Sequence, residues 1–298
     1  MKLIVNGRDF TALCTELTLE DNIYAASAVL TAQVVFENHN GYLPPIFAYC
    51  GNEVVLENEG EIFRGNIIEV GVIGKECVFE ITAVEKSNLL AKNDVFGIFS
   101  SNAAANGRKV LSQVGLSAGN LPAKTCRSFA SYGGMTAKEV IDMSYGEGYF
   151  VDFEGDKVHI RKVGEGEIAL SGSMIFDIRS AESIADMVNT VSLTNSKHRV
   201  IYNTKSNDDV EKYGKYHKYR QITRNESSSA VAKEMLQGMK RSAKILMGGE
   251  FGVKKGRMVE FNLARFGLEG RYAIESVRHI VSGGVHTTEI EVKHGSLL

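Results

Sequence analysis

AVLTAQVVFE, residues 28–37, is the stretch that decides the fold class. Leu30, Ala32, Val34 and Phe36 fall on one side of an extended chain, with Thr31, Gln33 and Glu37 on the other. A period of two over this length marks a β-strand with one buried face, because successive side chains leave opposite sides of the pleat. Outward from it, residues 53–57, 62–72 and 77–85 behave in the same way. Gly51-Asn52, Asn58 to Gly60 and Gly74-Lys75 supply turn chemistry between them. Short strands at such close spacing, with almost no helix, predict a small barrel or sandwich over residues 1–95.

The pattern changes near Asn93. Residues 102–114 (NAAANGRKVLSQV) predict a short helix interrupted at Gly107. Residues 136–145 predict a firmer one, since Thr136 and Glu139 have the spacing of a capping box ahead of Val140, Ile141 and Met143. Residues 149–154 and 157–162 flank Gly155-Asp156 as a hairpin, so 96–165 reads as a compact α+β module. Strands return after Gly166, at 187–194 and 199–202, and the polar run 203–212 reads as a mobile loop. Val231, Met235, Met239, Ala243 and Leu246 recur at helical spacing before Gly248-Gly249, which predicts one long helix over about 228–247. Residues 257–262, 271–281 and 286–293 close the chain as strands. In them Tyr272, Ile274 and Ile280 alternate with Glu275 and His279, and Gly283-Gly284 forms a turn. The expected layout is β, then α/β, then β with one long helix.

A chain of 298 residues has room for two or three domains and a sizeable core without disulfides or metals. Its formal charge is −2, with acidic and basic residues interspersed. Affinity for nucleic acid comes largely from a basic face that neutralises phosphates, so specific nucleic-acid binding is not expected. Cys14, Cys50, Cys77 and Cys126 show no short metal or redox spacing and read as reduced, with Cys77 a small buried hydrophobe. Residues 1–10 are too short and too polar for a secretion signal, and no apolar run is long enough to span a bilayer. The expectation is a protein made in a bacterial cytoplasm, with no membrane partner.

No phosphate-binding glycine loop and no nucleophile elbow occurs in the sequence. Histidines stand at 39, 159, 198, 217, 279, 286 and 294; His279 and His286 can face each other across the last hairpin, with His294 nearby. Converging metal ligands are not expected from so scattered a set. Paired carboxylates, Glu57 with Glu59 and Asp208 with Asp209, read as solvated loop charges rather than a catalytic acid and base. Catalytic, cofactor and metal residues are therefore expected to be absent, and the chain not to be an enzyme. The run Tyr213-Gly-Lys-Tyr-His-Lys-Tyr-Arg220 interleaves aromatics with cations. Such a run can stack on bases or sugars, or present tyrosines to a neighbouring subunit. The near-neutral chain favours the second reading, which makes Tyr213, Tyr216 and Tyr219 the candidate subunit-interface residues.

Four stretches resemble, in their order and spacing, the baseplate hub proteins of contractile phage tails and tail-like bacteriocins. The groups in question are XkdQ-like and late-control-protein-D-like, related to the hub part of type VI secretion spikes. The stretches begin with Val5-Asn-Gly-Arg8 followed by the strand at 28–37. Next comes the capped helix at 136–145 leading into Gly148-Tyr-Phe-Val-Asp-Phe153, and then Ser183-Ile-Ala-Asp-Met-Val-Asn-Thr-Val191 with Asp209-Val-Glu-Lys-Tyr-Gly214. Last are Lys255-Gly-Arg-Met-Val-Glu260, Gly270-Arg-Tyr-Ala-Ile-Glu-Ser-Val-Arg-His279 and Gly283-Gly284. The resemblance implies a mainly β fold with an α+β insertion, in which two small β-barrel-like, tail-tube-like domains at 1–95 and 166–298 flank the α/β module at 96–165. It also implies a homotrimer forming a pseudo-sixfold ring between a hexameric tail tube and a trimeric central spike, three copies of two similar barrels giving six docking surfaces. The implied partners are further copies of the chain, the tail tube protein, the central spike protein and other baseplate proteins, with a tape-measure protein as a candidate for the channel. The implied location is the baseplate of an assembled virion tail or tail-like particle. This chain is short for such a family.

Two rival readings follow from the residues. One is a peptidoglycan-binding or cell-wall-degrading tail-associated protein, which needs an acid–base pair or metal triad in a cleft. The other is a monomeric carbohydrate-binding module using the exposed tyrosines.

Overall fold

Alternation in the sequence becomes pleat in the structure. The computed structural model describes residues 1–36, 48–73, 77–170, 175–222 and 227–294. The first region builds β1 (Lys2–Val5), β2 (Arg8–Asp9), β3 (Cys14–Asn22), β4 (Val29–Val35), β5 (Glu53–Glu57), β6 (Glu61–Ile73) and β7 (Val78–Glu85). β4 lies between β3 and β7, antiparallel to both, with Thr31 opposite Thr18 on one side and Thr82 on the other. Leu30, Ala32 and Val34 are fully buried and Phe36 packs at the edge of their cluster, so the face anticipated from residues 28–37 is the core face. Leu17, Phe63, Phe79 and Ile81 complete that core, each contributing about 1.5–3 kcal/mol by leaving water. Glu37, His39 and the turn expected at Gly74-Lys75 lie outside the described residues. Cys77 is half-buried rather than buried, and it takes a left-handed backbone (φ 55°) at the entry to β7. All four cysteines are free thiols.

The middle of the chain folds as α1 (Leu89–Lys92), β8 (Asp94–Phe99), α2 (Ala103–Gln113), β9 (Ser117–Ala118), β10 (Phe129–Thr136), α3 (Ala137–Tyr145), β11 (Tyr149–Glu154) and β12 (Lys157–Lys162). α2 starts where the Asn102 side chain accepts from the Ala105 N–H at 3.1 Å. It runs through Gly107 without the expected interruption. A Cβ at that position would stand 3.3 Å from Leu121, so the missing side chain lets α2 pack closely there. α3 has the full capping box: Thr136 Oγ1 accepts from the Glu139 N–H at 3.2 Å and Glu139 accepts from the Thr136 N–H at 2.7 Å. The hairpin of β11 and β12 turns on Gly155 and Asp156, both left-handed, as a two-residue turn matched to strand twist requires. Leu90, Phe99, Val110, Val140 and Ile160 form the core of this module.

The remainder holds β13 (Glu167–Ile168), β14 (Ile175–Ser183), β15 (Thr190–Thr194), β16 (Val200–Lys205), α4 (Asn207–Tyr213), β17 (His217–Gln221), α5 (Ser228–Met235), β18 (Lys240–Gly248), β19 (Met258–Leu263), β20 (Leu268–Ser282) and β21 (Val285–His294). Three expectations are corrected here. The long helix at 228–247 is instead α5 followed by β18. Gly238, a poor helix former, sits between them, and Ala243, Ile245 and Met247 bury one face at a period of two. The expected loop at 203–212 is the end of β16 and most of α4, with Asp208 and Asp209 in the helix's first turn, where carboxylates offset the helix dipole. The simple alternation expected in 271–281 breaks at a bulge between Ile274 and Ser276, which turns His279 inward and leaves Ile280 half-exposed.

Among the described residues, a 13-stranded sheet has the main path β14-β18-β21-β20-β3-β4-β7-β6-β5-β1-β2, with β13 and β19 branching from β20. The fold is mainly β. The chain divides into two compact units, Met1–Arg179 with Lys244–Leu298, and Ser180–Ala243. Both expected domain boundaries, near 95 and 165, fall inside the first unit, and β14 and β18 carry the chain from one unit to the other.

Candidate functional site

The candidate interface tyrosines lie in the smaller unit. Its sheet has β15 in the centre, antiparallel to β16 and parallel to β17. Four of the five β15 residues are buried, whereas no residue of β16 or β17 is. Tyr219 projects from β17 and is 65% exposed. Tyr216 precedes that strand, its N–H donating to Asn189 Oδ1 at 2.8 Å. Tyr213 belongs instead to the last turn of α4, where its hydroxyl donates to Met239 Sδ at 3.5 Å. The structure therefore places Tyr216 and Tyr219 at an outer strand and assigns Tyr213 to a helix, so the run 213–220 is not one continuous strand. Beneath them Ser192 Oγ lies 2.8 Å from His217 Nε2, a nucleophile–base distance. The hydroxyl is buried and also contacts Asn203 Oδ1 at 3.3 Å. No carboxylate orients the imidazole among the described residues, so the pair links neighbouring strands.

A second surface had no counterpart in the sequence reading. Phe96, Ile98 and Tyr132, on the paired strands β8 and β10, are 65%, 71% and 78% exposed. The Phe96 and Tyr132 rings meet edge to face with centroids 6.1 Å apart. The opposite face of this ribbon is the module core, with Val95 and Phe99 buried and the Ser131 hydroxyl donating to the Val95 carbonyl at 2.8 Å. The available signal was Val95-Phe-Gly-Ile-Phe99, apolar on both faces of one strand.

Within the first unit, a charged cavity of about 370 Å³ opens between β3, β11 and the segment ahead of β19. Its floor is an ion pair between Lys255 Nζ and Asp21 Oδ1 at 2.6 Å, the lysine side chain being 4% exposed. Gly256 (φ 73°) lies under the Phe150 ring, where a Cβ would come within 2.2 Å of a ring carbon. On the wall, Arg161 pairs with Asp152 and with Glu154, the latter at 2.6 Å. Glu85 borders an adjoining cavity that shares Asp152 and Glu154. Burial, and then the nearby Asp21 charge, push the Glu85 carboxyl up to about 7. Burial also raises Asp21, against the pull of Lys255.

His279 and His286 do face each other, with ring centroids 5.5 Å apart and Phe251 against both. His279 Nδ1 is 3.0 Å from Thr288 Oγ1. Burial, then His286, lowers His279 to about 4. Such a ring stays neutral and packs as an aromatic. Among the described residues no group of three histidine, cysteine or acidic side chains is placed to hold a metal ion, and no helix is long and apolar enough to cross a membrane.

No curated protein sequence matches the chain. The fold, however, is shared with solved tail proteins. The 43 kDa tail protein of prophage MuSo2 from Shewanella oneidensis aligns with a TM-score of 0.76 at 13% identity, over 98% of this chain and 96% of that one. A tail protein from Neisseria meningitidis MC58 gives 0.72 at 10% identity, over 99% and 96%. The E. coli c3393 protein, described as a component of the type VI secretion system with structural similarity to the T4 bacteriophage tail proteins gp27 and gp5, gives 0.63 at 9% identity, over 98% and 76%. The YQBQ-like family model matches residues 17–293, so this chain, built on the fold of phage tail proteins, belongs to the YQBQ-like family.

Proposed function

We propose that the protein is a structural baseplate hub subunit of a contractile particle, a phage tail or tail-like bacteriocin, and acts by assembling rather than by catalysis. The reading rests on one observation, the end-to-end likeness to tail proteins, over 98% of this chain and 96% of the Shewanella one. In the proposed assembly three copies form a pseudo-sixfold ring, each contributing barrel-like domains at 1–95 and 166–298. The ring adapts the hexameric tail tube to the trimeric central spike. The spike is the partner that the family resemblance implies, and the fold shared with a type VI secretion component supports that reading. Tyr216 and Tyr219, with the Phe96–Ile98–Tyr132 face, are surfaces such an assembly would cover, since aromatic residues are enriched where proteins meet.

A wall-cleaving role needs an acid and a base free to reach substrate. Here Asp21 is held by Lys255, Asp152 and Glu154 by Arg161, and Glu85 by the Ala28 amide. The test is the mass in solution by light scattering, of the chain alone and with the spike protein of its own particle. The expected outcome is three copies of the chain, a mass near three times 32.6 kDa for the chain alone or that mass added to the spike's in the mixture. A strict monomer under both conditions overturns the trimer, and peptidoglycan binding and cleavage assays then decide between the remaining readings.

A further inference from the structure

The charged cavity of the first unit holds cations that the fold itself does not use. Most of its carboxylates are spent on internal pairs, Asp21 on Lys255 at 2.6 Å and Asp152 with Glu154 on Arg161. Lys162, at the end of β12, and Lys254 and Arg257, on the segment ahead of β19, line the same cavity. None of these three has a carboxylate partner among the described residues. Against them stands one unpaired carboxylate, Glu165, which is exposed. The whole lining carries five cations and four carboxylates, in a chain whose net charge is −2.

The backbone sets Arg257 in place. The Gly164 N–H donates to the Gly256 carbonyl at 2.8 Å and the Met258 N–H to the Gly166 carbonyl at 2.9 Å, so residues 164–166 and 256–258 are tied side by side. The Arg257 guanidinium takes the space a side chain at residue 166 would need, since a Cβ on Gly166 would lie 2.0 Å from Nη1. Nη1 donates to the Glu165 carbonyl at 3.3 Å, which leaves most of the planar donor set open. A half-buried guanidinium held in this way, with two ammonium groups on the same cavity, matches the geometry of an oxyanion. The volume of about 370 Å³ is that of a small-molecule site. We propose that the cavity binds a small multivalent oxyanion of the phosphate class, held by Arg257 and neutralised by Lys162 and Lys254. The site is a property of the single chain and stands or falls independently of the hub assembly.

Calorimetric titration of the full chain with inorganic phosphate and with pyrophosphate, in a phosphate-free buffer of fixed ionic strength, tests it. The expected result is saturable one-to-one binding, tighter for pyrophosphate. Arg257→Lys keeps a cation but loses the planar donor set, and should weaken binding about tenfold. Glu165→Gln removes the opposing charge and keeps the backbone carbonyl that Arg257 uses, so it should tighten binding several-fold. Lys92→Gln, an exposed cation of α1 outside the cavity, should change nothing. Absence of saturable binding by either anion overturns the site, and so does a loss in Lys92→Gln equal to that in Arg257→Lys. If Arg257→Lys does not fold, Lys254→Gln and Glu165→Gln decide: shifts of opposite sign are expected, and equal or absent shifts overturn the proposal.

Discussion

β4 and β17 are both strands, yet they are held in opposite ways. β4 lies inside the large sheet of the first unit, paired on both sides, with alternate residues fully buried. β17 is an outer strand of the small sheet, paired only with β15 among the described residues, and none of its residues is buried. The core behind β4 gathers side chains from six strands of the chain's first region and the segments between them, whereas the core behind β15 is a handful of residues around Val191 and Leu193. The first region is stabilised by its own burial. The outer strands of the second unit present polar and aromatic surface and gain little from the fold itself, which is the usual condition of a surface kept for another molecule.

The largest expected effect tests that contrast directly. Leu30→Ala in β4 should cost about 4 kcal/mol in denaturant unfolding, because the surrounding sheet cannot close over the void. Leu193→Ala, equally buried in β15, should cost about 2 kcal/mol, since a small cluster collapses more easily. Equal costs would break the comparison. Acid provides the next test. His279 titrates at about 4 in the fold instead of 6.5, so the unfolded chain takes up a proton first. The stability this ring contributes is present above pH 6.5 and lost as pH falls towards 4, by about 2 kcal/mol. A His279→Gln variant should lose that acid sensitivity in thermal melts, with the change confined to the first unit. Removing the α3 cap by Thr136→Ala should cost about 1 kcal/mol. Tyr219→Ala should move stability by less than about 0.5 kcal/mol while lowering the assembled fraction in light scattering; a large loss of stability instead would make Tyr219 part of the unit's own packing.

What the sequence made legible followed from local physics. The period of two at 28–37, the capping box at Thr136 and Glu139, and the left-handed pair at Gly155-Asp156 each act within a few residues, and each survives in the fold. Residues 228–247 misled because Ala243 satisfies two periods at once. It belongs to the helical series from Val231 to Leu246 and begins the alternating series Ala243, Ile245, Met247, and only a sheet partner decides between them. The bulge after Ile274 hid the inward turn of His279 for a similar reason, since one extra residue exchanges the faces of everything beyond it. The charged cavity was illegible because Asp21, Glu85, Asp152 and Lys255 come from four segments with no spacing in common. The candidate interface tyrosines were legible as a composition, and their division among α4, the segment ahead of β17 and β17 itself was not.

The pairing of β3 with β20, in which Asp21 lies opposite Val277, also sets the order of events as the chain is made. β3 is made long before β20, so its second edge has no partner until the chain has been extended through residues 268–282. During that interval β3 and β4 carry an open, strongly alternating edge of the kind that pairs with the wrong chain. Such long-range pairing is slow to form, because the loop must close before any contact rewards it. Yield of folded protein should therefore depend on translation speed and temperature more than its final stability suggests. A chain truncated before β20 should aggregate rather than fold in part.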